Sequence, residues 1–219
     1  MINGVIFDMD GLMTDTERLF LEMWCQVMTE QGFPEHREVV QHCIGLNSVD
    51  TCDYVRTKLG ESFDYINIMR EVGSRSRQYC ETHGVPVKPG LYRLLDYLDG
   101  VNIPYVVATS TGLENAEWRL QNIGVLERLS GLVTGDMVKH GKPEPEIFQK
   151  AAELLGLRSE QCLVLEDSPH GILAAHKAGC YVVMIPDLKM PDAQTKKLLL
   201  AQFERLDHVI PLLKKIQNT

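Results

Sequence analysis

The first apolar run of the chain leads straight into charge: Gly4-Val-Ile-Phe-Asp-Met-Asp-Gly-Leu-Met-Thr-Asp-Thr-Glu17. Gly4 to Phe7 suit a buried strand, yet the run ends at Asp8, and Asp10 and Asp15 come soon after. Crowded carboxylates repel one another unless a cation, a proton or an electrophile shares their space. The run itself is continuously apolar rather than alternating, which fits a parallel sheet covered on both faces. INGVIF (2–7) is joined by three similar stretches: IPYVVA (103–108), CLVL (162–165) and YVVMI (181–185).

Helical periodicity fills the spaces between the later runs, at LENAEWRLQN (113–122), PEIFQKAAELL (145–155) and HGILAAHKA (170–178). Strand alternating with helix predicts an α/β, doubly wound parallel-sheet core of Rossmann-like type. Residues 16–83 read differently, as three helical stretches without a strand (17–32, 49–60 and 65–84). They predict an all-α domain, 16–86, inserted after the first strand, with the core formed by 1–15 and 87–219. Gly84-Val-Pro-Val-Lys-Pro-Gly90 is the Pro/Gly-punctuated linker that leads back. The tail is expected to be helical over 195–206 and 208–217.

Composition narrows the partners. The 219 residues are 44% hydrophobic and 24% charged, ordinary for a globular protein. A net charge of −8 and a pI near 5.4 argue against nucleic acid or an anionic membrane surface, which require a basic face. A small anionic ligand needs only a local positive spot. No basic, apolar leader precedes Asp8 and no run reaches about 18 apolar residues, so neither secretion nor a membrane span is expected. Six scattered cysteines without a C-x-x-C pair read as reduced thiols, and the expected compartment is the cytoplasm. The sequence leaves the oligomeric state open, and a monomer is compatible with it.

Ligands of open α/β sheets bind beyond the carboxyl ends of the strands, so the residues just after each run matter most. Asp8 and Asp10 stand after the first. A carboxylate can act as a nucleophile, and a second one can protonate the leaving oxygen and later deprotonate water. A lone D-x-D also serves as an ordinary acidic turn. Thr109-Ser110-Thr111 stand after the second run; they suit a helix N-cap, and also an anion seat at a helix N-terminus. Lys142 lies in Gly141-Lys-Pro-Glu-Pro145, where prolines limit the backbone and could hold one ammonium towards the strand ends. Glu166 and Asp167 end the third run, with Ser168-Pro169 as a capping pair. Adjacent charges ending a buried strand need a partner, and Mg²⁺ takes such oxygen ligands. Each cluster has a purely structural reading. Together and in this order they supply a nucleophile, an acid, a cation and a hard-metal site, the requirements of phosphoryl transfer.

These residues resemble the haloacid dehalogenase-like hydrolase superfamily, in its β-phosphoglucomutase-like phosphatase subgroup. The resemblance is carried by Asp8-Met-Asp-Gly-Leu-Met-Thr-Asp-Thr16, Val106-Val-Ala-Thr-Ser110, Lys142 in Gly141-Lys-Pro-Glu-Pro145, and Val164-Leu-Glu-Asp-Ser-Pro-His-Gly-Ile172. It implies that Asp8 becomes an aspartyl phosphate and that Asp10 is the general acid/base. Thr109 and Ser110 hold the phosphoryl group, and Lys142 pairs with it and with Asp8. Asp8, the Asp10 carbonyl, Glu166 and Asp167 gather Mg²⁺, while the inserted helices form a cap that sets specificity. Asp15 and Thr16 belong to the hinge. Asp10 favours phosphoryl transfer over dehalogenation. Lys58, on an ordinary helix surface, does not suit the imine chemistry of phosphonate-cleaving relatives. The expected function is thus a Mg²⁺-dependent phosphatase of a small phosphorylated metabolite, a sugar phosphate or nucleoside monophosphate. A sugar-phosphate mutase is the alternative. Phe20 stands where mutases of the subgroup carry a histidine, and Gly45-Leu-Asn-Ser48 lacks their arginine. The alternative outside enzymes is a silent binding module on the same fold. Arg75 and Arg77 read as solvated helix charges.

Overall fold

The computed structural model describes residues 2–33, 37–44, 48–60 and 63–217. The chain divides into two compact units, one comprising Met1–Asp15 and Val87–Thr219, the other Thr16–Pro86.

The first unit is built on six parallel strands: β1 (Gly4–Phe7), β2 (Tyr105–Ala108), β3 (Gly131–Val133), β4 (Cys162–Glu166), β5 (Tyr181–Met184) and β6 (Ala201–Gln202). Their order across the sheet is β3-β2-β1-β4-β5-β6. β1 is central, with Phe7 opposite Val107 on one side and Leu165 on the other. Val5, Ile6 and Phe7 are fully buried, so both faces of the sheet are covered. On the face of Ile6, Val106 and Val164, helices α7 (Glu146–Leu154) and α8 (Pro169–Ala178) bury Ile147, Phe148, Ala151, Ile172 and Ala175. Helix α5 (Leu91–Gly100) buries Leu91, Leu94, Leu95 and Leu98 and packs on the 206–209 turn, which also contacts α9 (Ile210–Gln217). Helix α6 (Leu113–Asn122) comes after β2. The result is the doubly wound α/β fold read from the apolar runs.

The second unit holds α1 (Thr16–Glu30), α2 (Arg37–Cys43), α3 (Ser48–Leu59) and α4 (Tyr65–His83). Leu19, Met23, Trp24, Val27 and Met28 recur at helical spacing on α1 and are buried, with Ile68, Val72 and Cys80 buried on α4. The Asp64 carboxylate caps α4 by accepting from the Asn67 amide at 3.2 Å. Phe20 sits edge-on to Trp24, with ring centroids 6.3 Å apart. Arg75 pairs with Glu71 and Glu30, and Arg77 with Glu81, consistent with helix-surface charges. Lys58 is exposed and lies over the Tyr54 ring. Residues 45–47 of the arginine-lacking loop lie outside the described residues.

Three expectations are corrected. Residues 195–206 are not one helix: a 3₁₀ turn (195–198), the short β6 and a second 3₁₀ turn (206–209) occupy the region. The strand expected from 103 starts at Tyr105, because Pro104 cannot donate to the ladder. The structure also adds α2, α5, β3 and β6, which the apolar runs did not mark. No disulfide joins any of the six cysteines, and among the described residues no helix is long and apolar enough to cross a membrane.

Candidate active site

β1 delivers Asp8 one residue past its end, and the ladder continues through the Asp8 amide to the Leu165 carbonyl at 3.0 Å. The chain then folds over tightly: the Met13 and Thr14 amides both donate to the Met9 carbonyl, at 2.8 and 3.0 Å. Gly11 makes this turn possible. Its φ is +82°, and a Cβ there would collide with the Asp167 carboxylate. β2 delivers Thr109, whose amide reaches the Val133 carbonyl at 3.0 Å. β4 ends on Glu166 itself. These three strand ends lie side by side, where β1 meets β2 and β4 and the strand order reverses.

Lys142 joins them from the loop before α7. Glu146 secures that loop: one oxygen accepts from the Lys139 and His140 amides, both at 3.0 Å, and the other pairs with Lys150 at 3.0 Å. These bonds hold the Glu146 carboxyl far below its ordinary range, at about 2. The Lys142–Pro143 peptide bond is cis. The lysine side chain is only 7% exposed. Its ammonium donates to Asp8 Oδ1, to Glu166 Oε1 at 2.7 Å and to the Ala108 carbonyl at 3.4 Å, so three acceptors receive its three N–H groups. The Phe148 ring lies beneath it, 5.0 Å from the ammonium.

Glu166 is fully buried and serves two neighbours. Oε1 faces Lys142, while Oε2 accepts from the Asp167 amide (2.9 Å), the Ser168 amide (2.8 Å) and the Ser168 hydroxyl (2.9 Å). Ser168 Oγ in turn accepts from the Gly171 amide at 3.1 Å, the N-cap expected of this Ser-Pro pair. Gly171 is required by proximity, since a Cβ there would overlap the Glu166 carboxylate.

Asp8, Glu166 and Asp167 are buried, and ligand oxygens of all three lie within 4.8 Å of one another. Burial pushes the Asp8 carboxyl up to about 8 against the pull of Lys142, with Glu166 and Asp10 adding to the rise. Burial alone would lower Lys142, but Asp8 and Glu166 hold it above the ordinary lysine value. Three carboxyl groups face a single ammonium in a dry place, and the repulsion that helps raise Asp8 is relieved by a further cation. An all-oxygen donor set of this kind fits a divalent hard cation.

Asp10 lies apart from this cluster in its contacts. Its Oδ2 accepts from the Thr111 hydroxyl at 2.7 Å, and its Oδ1 from the Arg119 guanidinium on α6. Thr111 belongs to the Thr109–Thr111 run read from the sequence as a cap or anion seat, whereas nothing in the sequence marks Arg119 as a site residue. Arg119 sits mid-helix, and periodicity shows nothing there beyond a charge. Thr109 is buried, and its hydroxyl accepts from the Thr111 amide at 3.1 Å; Ser110 is exposed. The N-cap of α6 is Gly112, and the Leu113 amide is satisfied by Asp136 at 3.1 Å. The hydroxyls after β2 are therefore not spent on capping. Gly135 lets the β3 loop press against the Ser110 carbonyl, where a Cβ would collide.

The doubly wound sheet thus gathers a buried aspartate, a lysine and an acidic pair at adjacent strand ends, and the class of protein follows from the family the chain matches. The profile of the haloacid dehalogenase-like hydrolases matches residues 5–185, and the chain belongs to that family. Hexitol phosphatase A of Escherichia coli is 31% identical over 83% of this chain and 82% of its own length. The β-phosphoglucomutase of Bacillus subtilis is 27% identical over 83% and 82%. The crystal structure of CbbY from Rhodobacter sphaeroides in complex with phosphate shares the fold, with a TM-score of 0.76 at 21% identity over 95% and 96% of the two chains.

Proposed function

We propose that this protein is a Mg²⁺-dependent phosphatase acting on a small phosphorylated metabolite, a sugar phosphate or nucleoside monophosphate. The observation that carries the reading is the enclosed Lys142 ammonium held between Asp8 and Glu166, next to Asp167. Family membership and the phosphatase relatives support it.

In this reading an Asp8 carboxylate oxygen attacks phosphorus, and the bond between phosphorus and the leaving oxygen breaks. Asp10 gives a proton to that oxygen, and the alcohol departs. Water then attacks the aspartyl phosphate while Asp10 takes its proton, releasing phosphate and restoring Asp8. Thr109 and Ser110, at the end of β2, hold the phosphoryl oxygens with their hydroxyls and the Ser110 amide. Lys142 offsets charge on the phosphoryl group and on Asp8. Mg²⁺, held by Asp8, Asp167 and the Asp10 carbonyl with Glu166 beside them, supplies further charge neutralisation when bound. Glu166 spends both oxygens on Lys142 and the 167–168 turn, so its larger part is to aim the lysine and fix the start of α8. The helical unit acts as the cap that selects the substrate.

The test is release of phosphate from a panel of sugar phosphates and nucleotides, with Mg²⁺ or with EDTA. Release confined to the Mg²⁺ arm and concentrated on a few compounds is expected; none from any compound overturns the reading. A sugar-phosphate mutase is the second reading, favoured by the β-phosphoglucomutase relative. Phe20, packed on Trp24, argues against it. An isomerised sugar phosphate instead of free phosphate would identify it.

A further inference from the structure

Asp8 is held by its own strand, its amide in the ladder and its carboxylate on Lys142. Asp10 lacks that support. It lies beyond β1 in the tight turn around Gly11, and its direction depends on what its carboxylate meets. Oδ2 accepts from the Thr111 hydroxyl at 2.7 Å. Oδ1 accepts from the Arg119 guanidinium and, at 3.4 Å, from the Thr14 hydroxyl. Thr111 and Arg119 both belong to the segment after β2 that carries the expected phosphoryl seat, so this segment holds Asp10 as well.

Arg119 is well placed for such a part. Helix α6 is anchored by Asp136 at its start and by buried Ala116 and Leu120 on either side of Arg119 in sequence. The arginine stem therefore rises from a fixed backbone. Its side chain is 28% exposed and that of Asp10 16%, so the pair is more enclosed than an ordinary surface ion pair. A guanidinium also imposes direction, because its N–H groups lie in one rigid plane, which an ammonium does not match.

We propose that Arg119 is a positioning residue for Asp10. With the Thr111 hydroxyl, its guanidinium holds the Asp10 carboxylate at the angle from which it serves the leaving-group oxygen. This rests on the phosphatase reading above. In the step concerned, the Asp8–phosphorus bond forms, the bond from phosphorus to the leaving oxygen breaks, and the Asp10 proton passes to that oxygen. A leaving group that departs as a stable anion does not need the proton, and for it the position of Asp10 matters little.

The experiment compares kcat/KM for glycerol 3-phosphate, an alkyl ester, with p-nitrophenyl phosphate, an aryl ester, in Mg²⁺. The wild type, Arg119→Met and Arg119→Lys are measured, each also with Asp10→Asn. General acid catalysis contributes about 10²–10⁴-fold, so misdirecting it should cost Arg119→Met about 10- to 100-fold on the alkyl ester and less than about threefold on the aryl ester. Arg119→Lys should recover part of the alkyl activity. With Asp10→Asn in place, the Arg119 changes should have no further effect. Equal losses on both esters, additive losses with Asp10→Asn, or no loss at all overturn the proposal. Aryl activity near wild type certifies that a variant is folded, and Arg119→Lys stands in if Arg119→Met is not. Where glycerol 3-phosphate is inert, the alkyl phosphate of the panel above that is turned over fastest takes its place, and a wild type that releases phosphate from no ester at all defeats the phosphatase reading itself, and the proposal with it.

Discussion

Lys142 can be removed without filling the space it leaves, and the consequence is physical before it is catalytic. Lys142→Met keeps the bulk of the stem but strands Asp8 and Glu166, both buried, without their shared cation. Breaking a buried ionic network from one side costs about 3 kcal/mol, and the urea midpoint should fall accordingly. An unchanged midpoint would mean that the two carboxylates are not enclosed as described. Asp8→Asn works in the opposite sense. Burial opposes the Asp8 charge, so the amide should leave the melting temperature unchanged or higher while phosphate release drops by at least about 10³-fold. Retained Mg²⁺-dependent turnover would end its assignment as nucleophile. At this scale much was legible. Asp8, Asp10, Glu166 and Asp167 stand at the ends of apolar runs, and a charge after a buried strand needs a reason. Arg119 stands mid-helix between Trp118 and Leu120 as one charge on a periodic pattern, so its pairing exists only once β1 and α6 are folded together. Thr109 to Thr111 matched an N-cap by local rules. The distant Asp136 satisfies the Leu113 amide instead, and no local pattern shows that.

Helices and their approach loops carry the next set of consequences. Gly171→Ala should stabilise α8 by up to about 1 kcal/mol on propensity alone. The added methyl would, however, overlap the Glu166 carboxylate, whose place is fixed by Lys142 and the 167–168 turn. The collision dominates: activity should fall about 10²-fold through a misplaced lysine, a displacement of the kind that costs that much, and stability should fall rather than rise. Wild-type kinetics in this variant would show that the α8–Glu166 contact is loose. Glu146 gives a pH signature. Its carboxyl is held down to about 2, so its contribution is present in full above the ordinary carboxylate range and is lost as the pH falls through about 2. The gap in melting temperature between wild type and Glu146→Gln should be constant from neutrality to about pH 5 and close towards pH 2. A gap that closes already near pH 5 would show that the Lys139–His140 loop is not held this way. Elements differed in how far they could be read. Runs such as VVA and LVL name their own strands because both faces are buried. β3 (Gly-Leu-Val) and β6 (Ala-Gln) are too short to show a period and owe their state to the neighbour they pair with. Residues 195–206 look helical in composition, but Leu200 donates to Val182 and Phe203 to Met184, which draws the segment onto the sheet edge.

Across the whole molecule the acidic surplus has a measurable counterpart. If the Asp8, Glu166 and Asp167 cluster takes Mg²⁺, the folded protein gains stability by mass action, about 2.7 kcal/mol at a hundred times the dissociation constant. The melting temperature should rise with Mg²⁺, fall back with EDTA, and respond weakly in Asp167→Asn; an identical response in that variant would move the metal elsewhere. The strand order carries a different consequence, in time. β1 lies at the centre of the sheet, yet its two neighbours are β2 and β4. During synthesis Gly4 to Phe7 emerge roughly a hundred residues before Tyr105, and at 5–20 residues per second the first strand waits on the order of ten seconds for an edge to pair with. Its second neighbour, Cys162 to Glu166, arrives several seconds later still. The helices of 16–86 are complete within the first interval and can fold while the strand waits. Until then a segment that ends up fully buried in the finished protein is an exposed apolar ribbon, which makes the interval before β2 emerges one in which a nascent chain needs shielding from its neighbours.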